Sequence, residues 1–297
     1  MSSRHIVYIL QGIDRKTTCV LCFFLLCVSE LFGQASDSVP KATPYRILDK
    51  DTLNAYIFKP ASKHGDHPAI LLFHGGAWKI GEAAWTFQRA REFAEKGMVA
   101  ISIEYRLANN GMSPVDGVED ACFAFAWARR HAKGLGIDVK RVAGYGVSAG
   151  GHLVAAAALL PSVKGVKIQD VSRPNALLLF SPALNLAHDG YFVSIMAGKG
   201  NPTDYSPSAF VGKTLPPTLI IQGERDSLVF AVDAETFRDL AVKAHARCEL
   251  KIYPAVGHLL SRNLNIQSND FDPDPADVAD AHQREVKFLE SLGYLSR

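Results

Sequence analysis

The chain has 297 residues, 48% of them hydrophobic and 21% charged, with a formal net charge of +2. That length and composition suit one large globular domain and exclude a disordered or fibrous chain. The near-neutral balance, with no basic cluster, argues against a nucleic-acid partner.

Residues 1–35 differ from the rest. Arg15 and Lys16 precede an uncharged stretch over 17–29, and its centre from Cys19 to Val28 is unbroken apolar. This stretch is too short to cross a bilayer as a relaxed helix. Small residues then follow at Gly33 and Ala35. The pattern reads as a secretory signal peptide cut near Ala35, which leaves a secreted or periplasmic protein with no stable membrane association. An uncleaved anchor is the alternative, and Leu26 before Cys27 disfavours a lipoprotein. The run before Arg15 is long for such a leader, so translation is expected to start later than Met1. Three of the five cysteines lie in this segment. Cys122 and Cys248 remain, and they read as separate buried thiols without a disulfide framework.

Residues 36–44 are polar and read as a flexible lead-in to a domain over 45–297. Residues 45–48 and 53–58 read as two early strands. Ala69-Ile-Leu-Leu-Phe73 is a continuous apolar run, as expected of a strand buried on both faces. A helix is expected over 83–96, a strand over 98–103 and a helix from Pro114 to about Lys133. Residues 141–144 carry a short strand into Gly144-Tyr-Gly-Val-Ser-Ala-Gly-Gly151, and residues 149–160 form an alanine-rich helix after it. Strands follow at 176–180, 218–222 and 249–253, with helices over 230–246 and 276–292. Strands and helices alternate throughout. That is the pattern of an α/β protein with a mostly parallel central sheet covered on both faces. Residues 185–216 carry no clear periodicity and are expected to form a small cap over the site.

Four pieces of sequence fit one chemistry. Ser148, inside Gly-x-Ser-x-Gly between a strand and a helix, is the candidate nucleophile. A serine hydroxyl needs a base within hydrogen-bond reach, and histidine is neutral yet able to take a proton near pH 7. His258 follows the strand over 249–253, and Asp226 follows the strand over 218–222. Both therefore lie beyond strand carboxyl ends, where open α/β sheets bind ligands. Asp226 would hold the His258 tautomer and support its cation. Asp233 is a rival acid, but it falls within a helix. The fourth piece is His74-Gly-Gly-Ala-Trp78, whose glycines let backbone N–H groups meet a developing oxyanion. Gly76 and Ala77, with Ala149 after the serine, are the expected donors, and which two of Gly75, Gly76 and Ala77 serve stays open. Trp78 and Trp85 are candidates for the substrate wall, with core packing as the alternative. His152 reads as packing, and His74 as a structural anchor of its loop.

His74-Gly-Gly-Ala-Trp78, Glu104-Tyr-Arg-Leu107, Gly146-Val-Ser-Ala-Gly-Gly151, Asp226 in its Gly-x-x-Asp-x-x-Val turn and Gly257-His258 together resemble the α/β-hydrolase superfamily. Within it they are similar to the lipase/esterase branch of hormone-sensitive-lipase-like, feruloyl/acetyl-esterase-like and kynurenine-formamidase-like enzymes. Ala77-Trp78 in place of a third glycine moves the likeness toward the feruloyl-esterase and formamidase side. Gln222 stands where many relatives carry a histidine. The resemblance implies a serine hydrolase that cleaves a small-molecule or glycan-borne carboxylic ester through an acyl-enzyme, without cofactor. Amide or formamide hydrolysis on the same triad is the alternative, and a catalytically inactive binding protein is a further one. No Cys/His spacing suggests a metal. The acidic run over 270–275 lacks the glycine and terminal glutamate of a calcium loop.

Overall fold

The computed structural model describes residues 40–49, 51–62, 65–187, 189–267 and 271–296. The signal-peptide reading of residues 1–35 lies outside them. From Pro40 onward the chain packs as one unit. Among the described residues there are ten strands: β1 Ala42–Leu48, β2 Asp51–Phe58, β3 His67–Phe73, β4 Val99–Ile103, β5 Ile137–Val147, β6 Ser162–Val163, β7 Val166–Lys167, β8 Ala176–Phe180, β9 Thr218–Gly223 and β10 Cys248–Tyr253. β6 and β7 form a separate small hairpin. The others form one sheet in the order β1-β2-β4-β3-β5-β8-β9-β10. β2 runs antiparallel to both its neighbours, and every pairing from β4 to β10 is parallel.

The continuous apolar run of β3 has the cause its composition implied. Leu71 and Phe73 enter the core on one face, and Ile70 and Leu72 enter the core on the other. The first core is closed by α2 Pro114–Arg130, α4 Ala149–Leu159 and α6 Ala231–Lys243. The second is closed by α1 Phe87–Glu95 and α7 Pro275–Ser291. Every residue of α4 is buried. A helix apolar on all sides belongs inside, and its alanines let it lie close to the sheet.

Several boundaries differ from expectation. β1 begins at Ala42, inside the segment expected as lead-in, because Ala42–Pro44 pair with Asn54–Tyr56. The helix expected over 83–96 opens with a 3₁₀ turn over Ala83–Thr86. The helix from Pro114 breaks at His131, whose Nδ1 bonds Trp127 O at 2.9 Å, and a single turn α3 Ala132–Leu135 follows. β5 starts ten residues before Val147, at Ile137, and is far longer than its apolar core of 142–144 suggested. Residues 185–216 contain α5 Gly190–Met196 and two 3₁₀ turns.

The turn at Ser148 depends on two glycines. A Cβ on Gly150 would stand 2.2 Å from Phe73 O, and one on Gly146 would stand 2.4 Å from Gly150 O. Both obstacles are backbone and cannot swing away. Gly150→Ala is therefore expected to destabilise the chain by about 1–3 kcal/mol, the range for overpacked cores. Thermal unfolding checks this: the midpoint should fall by at least about 2 °C, and an unchanged midpoint would contradict so close an approach of α4 to β3.

Candidate active site

β5 ends at Val147, and the chain reverses at Ser148 into α4. Ser148 has φ 52° and ψ −116°, a conformation that L-residues rarely adopt. The turn is held from three sides: Ser148 N donates to Phe180 O at 2.9 Å, and Ser148 O accepts from His152 N and Ala183 N. This lifts Oγ clear of the sheet edge and toward the loop after β10.

That loop carries His258. Its Nε2 lies 3.0 Å from Ser148 Oγ, and its Nδ1 lies 2.8 Å from Asp226 Oδ2. A carboxylate can only accept, so the Nδ1 proton belongs to His258 and Nε2 is left to accept from Ser148. Both side chains are buried. Asp226 is firmly seated. Leu228 N and Val229 N each donate to Oδ1 at 2.9 Å, and Gln222 Nε2 donates to Oδ2 at 3.0 Å. Gln222 thus touches the same carboxylate oxygen as His258. Asp233 is placed elsewhere, on α6, where it accepts from Asn185 Nδ2.

The loop after β3 lies across from His258. Gly76, Ala77 and Trp78 all have positive φ, and Lys79 N and Ile80 N both return to Gly76 O at 3.0 Å. Among the described residues, the amides of Gly76, Ala77 and Ala149 donate no hydrogen bond. Gly76 and Ala77 line the cavity over Ser148. Ala149 N is the first free amide of α4, at the positive end of its dipole.

The Glu104-Tyr-Arg-Leu107 motif supports this loop. Tyr105 Oη donates to His74 O at 2.9 Å, and its ring stacks on the His74 imidazole at 4.4 Å. Glu104 accepts from Asn54 and Tyr56 of β2. Arg106 pairs with Asp120 and Glu119 of α2. Ala108 N then reaches Trp78 O at 2.6 Å. Burial pushes the His74 pKa down to about 4, so the ring is neutral near pH 7, with Nδ1 2.6 Å from Gly75 O.

Trp78 does not face the cavity. Its indole is buried against Phe192, and Nε1 donates to His152 Nδ1 at 3.0 Å. His152 Nε2 then donates to Tyr205 O at 2.8 Å. Burial pushes the His152 pKa down to about 4, so it serves as a neutral bridge between the His74 loop and residues 202–205. The tryptophan on the cavity wall is Trp85, which is half exposed. The expectation that Trp78 contacts substrate is corrected on this ground: its polar N–H finds a buried partner, and its ring fills the core.

The cavity over Ser148 holds about 300 Å³ and is lined by Ile80, Trp85, Val147, Leu228, Leu259 and Phe271 among its apolar residues. Its polar side chains, among the described residues, are His74, Thr86, Ser148 and His258. Thr86 Oγ1 is already engaged with Ala83 O and Ser102 Oγ. Among the described residues, none that lines the cavity comes from 185–216. That segment instead braces the back of the His74 loop, with Tyr191 Oη donating to Ala77 O at 3.3 Å. Cys122 and Cys248 are free thiols, and burial pushes both pKa values up to about 12. In the acidic run, Asp272 pairs with Arg262 and Asp274 caps α7.

A serine on a strand-to-helix turn of a mostly parallel eight-stranded sheet, facing a histidine and an acid at neighbouring strand ends, defines the α/β-hydrolase fold. The family model described as BD-FAE matches residues 56–175. The chain is 27% identical over 271 residues to the isoprenylcysteine alpha-carbonyl methylesterase of Arabidopsis thaliana, covering 82% of this chain and 63% of that protein. It is 34% identical over 191 residues to an arylesterase of Saccharolobus solfataricus, covering 62% of this chain and 60% of that protein. The chain thus spans about three fifths of the length of these curated relatives. Among solved structures it resembles the esterase Est2 of Thermogutta terrifontis with propionate bound, at a TM-score of 0.76 and 29% identity, covering 87% of this chain and 96% of that one. The butyrate-bound form matches at the same TM-score. The sheet, the family-model match and these esterase likenesses together support a place in the lipase/esterase branch of the α/β-hydrolase superfamily.

Proposed function

We propose that this chain is a serine esterase that cleaves small, largely apolar carboxylic esters through an acyl-enzyme. The observation that carries the reading is the relay Ser148–His258–Asp226, with contacts of 3.0 and 2.8 Å, at the floor of an apolar cavity. His258 Nε2 takes the hydroxyl proton as Ser148 Oγ attacks the ester carbonyl. The tetrahedral oxyanion meets the amides of Ala149 and of Gly76 or Ala77. The C–O bond to the alcohol breaks as His258 returns the proton to the leaving oxygen. Water then attacks the acyl-serine by the same route and releases the acid.

The walls support the choice of substrate. A sugar-borne ester needs polar side chains to match its hydroxyls, and this cavity offers few beyond the reacting groups. An amide brings an N–H that the same walls leave unpaired, at a cost of about 1–3 kcal/mol. The propionate and butyrate held by the Thermogutta esterase support a short acyl group. The leader-like pattern of residues 1–35 supports export, so we place the mature enzyme outside the cytoplasm.

A substrate panel tests the reading: p-nitrophenyl acetate, butyrate and octanoate, a feruloyl ester and an N-formyl amide. Acetate and butyrate esters are expected to exceed octanoate in kcat/KM by at least about tenfold, because the cavity lies at the small end of the range for ligand sites. The formyl amide is expected to be slower than either short ester. Hydrolysis of the amide at the rate of the esters would assign the alternative activity.

A further inference from the structure

Asp226 and His258 sit on two separate loops, after β9 and β10, and each loop must hold its side chain to a fraction of an ångström. The His258 loop is strained: Ala255, Leu259 and Leu260 have φ of 61°, 55° and 59°. Each such residue costs about 1–3 kcal/mol and persists only where its surroundings hold it. Ties at the loop stems come from Glu224 N to Tyr253 O and Arg225 N to Val256 O, both 2.9 Å. Leu259 N also donates to Ser181 Oγ.

One buried side chain reaches both loops at the reacting residues themselves. Gln267 is 4% exposed. Its Oε1 accepts from Ser227 N at 3.0 Å and from His258 N at 2.9 Å. Its Nε2 donates to Arg225 O at 2.9 Å and to Leu264 O at 3.2 Å. Both neighbours of Asp226, and the backbone of His258, are therefore bound by a single planar amide. All four of its hydrogen-bonding positions are in use. Gly257 makes room for it, because a Cβ there would lie 2.4 Å from Gln267 Cδ. Asp, Glu, Lys or Arg could not substitute for it when charged, since each is acceptor-only or donor-only.

We propose that Gln267 is a positioning residue: its carboxamide fixes the Asp226 loop and the His258 loop in one register and so sets the geometry of the proton relay. The inference rests on the esterase reading above. Misplacing reacting groups by about 1 Å costs on the order of 10²-fold in rate. Gln267→Leu keeps most of the volume and removes all four bonds. It is expected to lower kcat for p-nitrophenyl butyrate by about 10- to 100-fold, with KM little changed and the protein still folded.

Gln267→Glu gives the sharper signature. As a carboxylate it still accepts from Ser227 N and His258 N but cannot donate to Arg225 O or Leu264 O. Protonated, it regains one donor, and burial raises the pH at which that happens. The ratio of variant to wild-type kcat is therefore expected to rise as pH falls from 8 to 5. A packing role alone predicts a ratio independent of pH. The inference is overturned by a flat ratio, by a Gln267→Leu enzyme within twofold of wild-type kcat, or by a loss carried in KM alone. If Gln267→Leu fails to fold, the Gln267→Glu profile decides. Wild-type hydrolysis that falls by several orders of magnitude in Ser148→Ala secures the esterase reading, so Gln267 variants that match wild type then overturn this inference alone. An inactive wild type overturns both.

Discussion

Ser148→Ala is expected to reduce turnover of p-nitrophenyl acetate by about 10⁶-fold in kcat, the scale of losing the nucleophile of such a relay. The substitution removes one atom, Oγ, and with it the bond to His258 Nε2. It leaves Cβ in place, so the unusual backbone at φ 52° is no more strained than before. The three backbone bonds that hold the turn are unaffected. The fold should therefore survive, and so should binding of substrate in the apolar cavity. Residual rate should remain, because the free amides of the His74 loop and of Ala149 still meet an oxyanion when water attacks. Steady-state kinetics and a thermal melt on the same preparation check both halves. A variant within tenfold of wild-type kcat would remove Ser148 from the mechanism.

Asp226→Asn is expected to lower kcat by about 10⁴-fold with little change in melting temperature. Four donors converge on this carboxylate: Leu228 N and Val229 N on Oδ1, Gln222 Nε2 and His258 Nδ1 on Oδ2. An asparagine must point its NH₂ at one of these pairs. Facing the two backbone amides would leave fixed donors opposed, at about 1–3 kcal/mol. Facing His258 is easier, because two side chains can then adapt. Gln222 Oε1 is buried without a partner among the described residues, and a turned Gln222 amide would present it to the new NH₂. His258 would shift its proton to Nε2, and a protonated Nε2 cannot accept from Ser148. Stability is thus kept while the base is disabled. A variant that retains kcat within tenfold of wild type would point to another acid.

The likeness of this chain to esterases was legible from motifs whose chemistry demands particular residue types at particular strand ends. Gly146, Ser148 and Gly150 stand together because a strand-to-helix reversal this tight excludes side chains on both flanks. Asp226 and His258 stand out because each follows a short strand, an apolar run before Asp226 and an alternating Leu250-Lys-Ile-Tyr253 before His258. The Glu104–Leu107 motif was visible as a pattern, but its work was not. Only the folded chain shows that Tyr105 clamps His74 while Glu104 and Arg106 anchor the same segment to β2 and α2.

Gln267 carried no local signal. It is a lone glutamine in an irregular segment, and its role exists only where two distant loops and one amide meet. Trp78 and Trp85 were equivalent candidates by position. They part because Trp78 meets His152 in the core while Trp85 turns to the cavity. Residues 185–216 looked like a cap because nothing periodic claimed them, yet Tyr191 there braces the His74 loop, and the described residues of the cavity wall come from other segments.

Local constraints explain the division. The alternation of strands and helices, the buried central strand and the candidate relay residues follow from periodicity and backbone sterics, which short stretches of sequence express directly. The cavity wall is drawn from residues as far apart as Ile80, Val147, Leu228 and Phe271, and the Gln267 bridge joins two loops. Contacts between segments so distant in the chain arise only when the whole sheet has closed. The sequence alone therefore determined the fold and the candidate relay residues, and the tertiary structure decided what surrounds them.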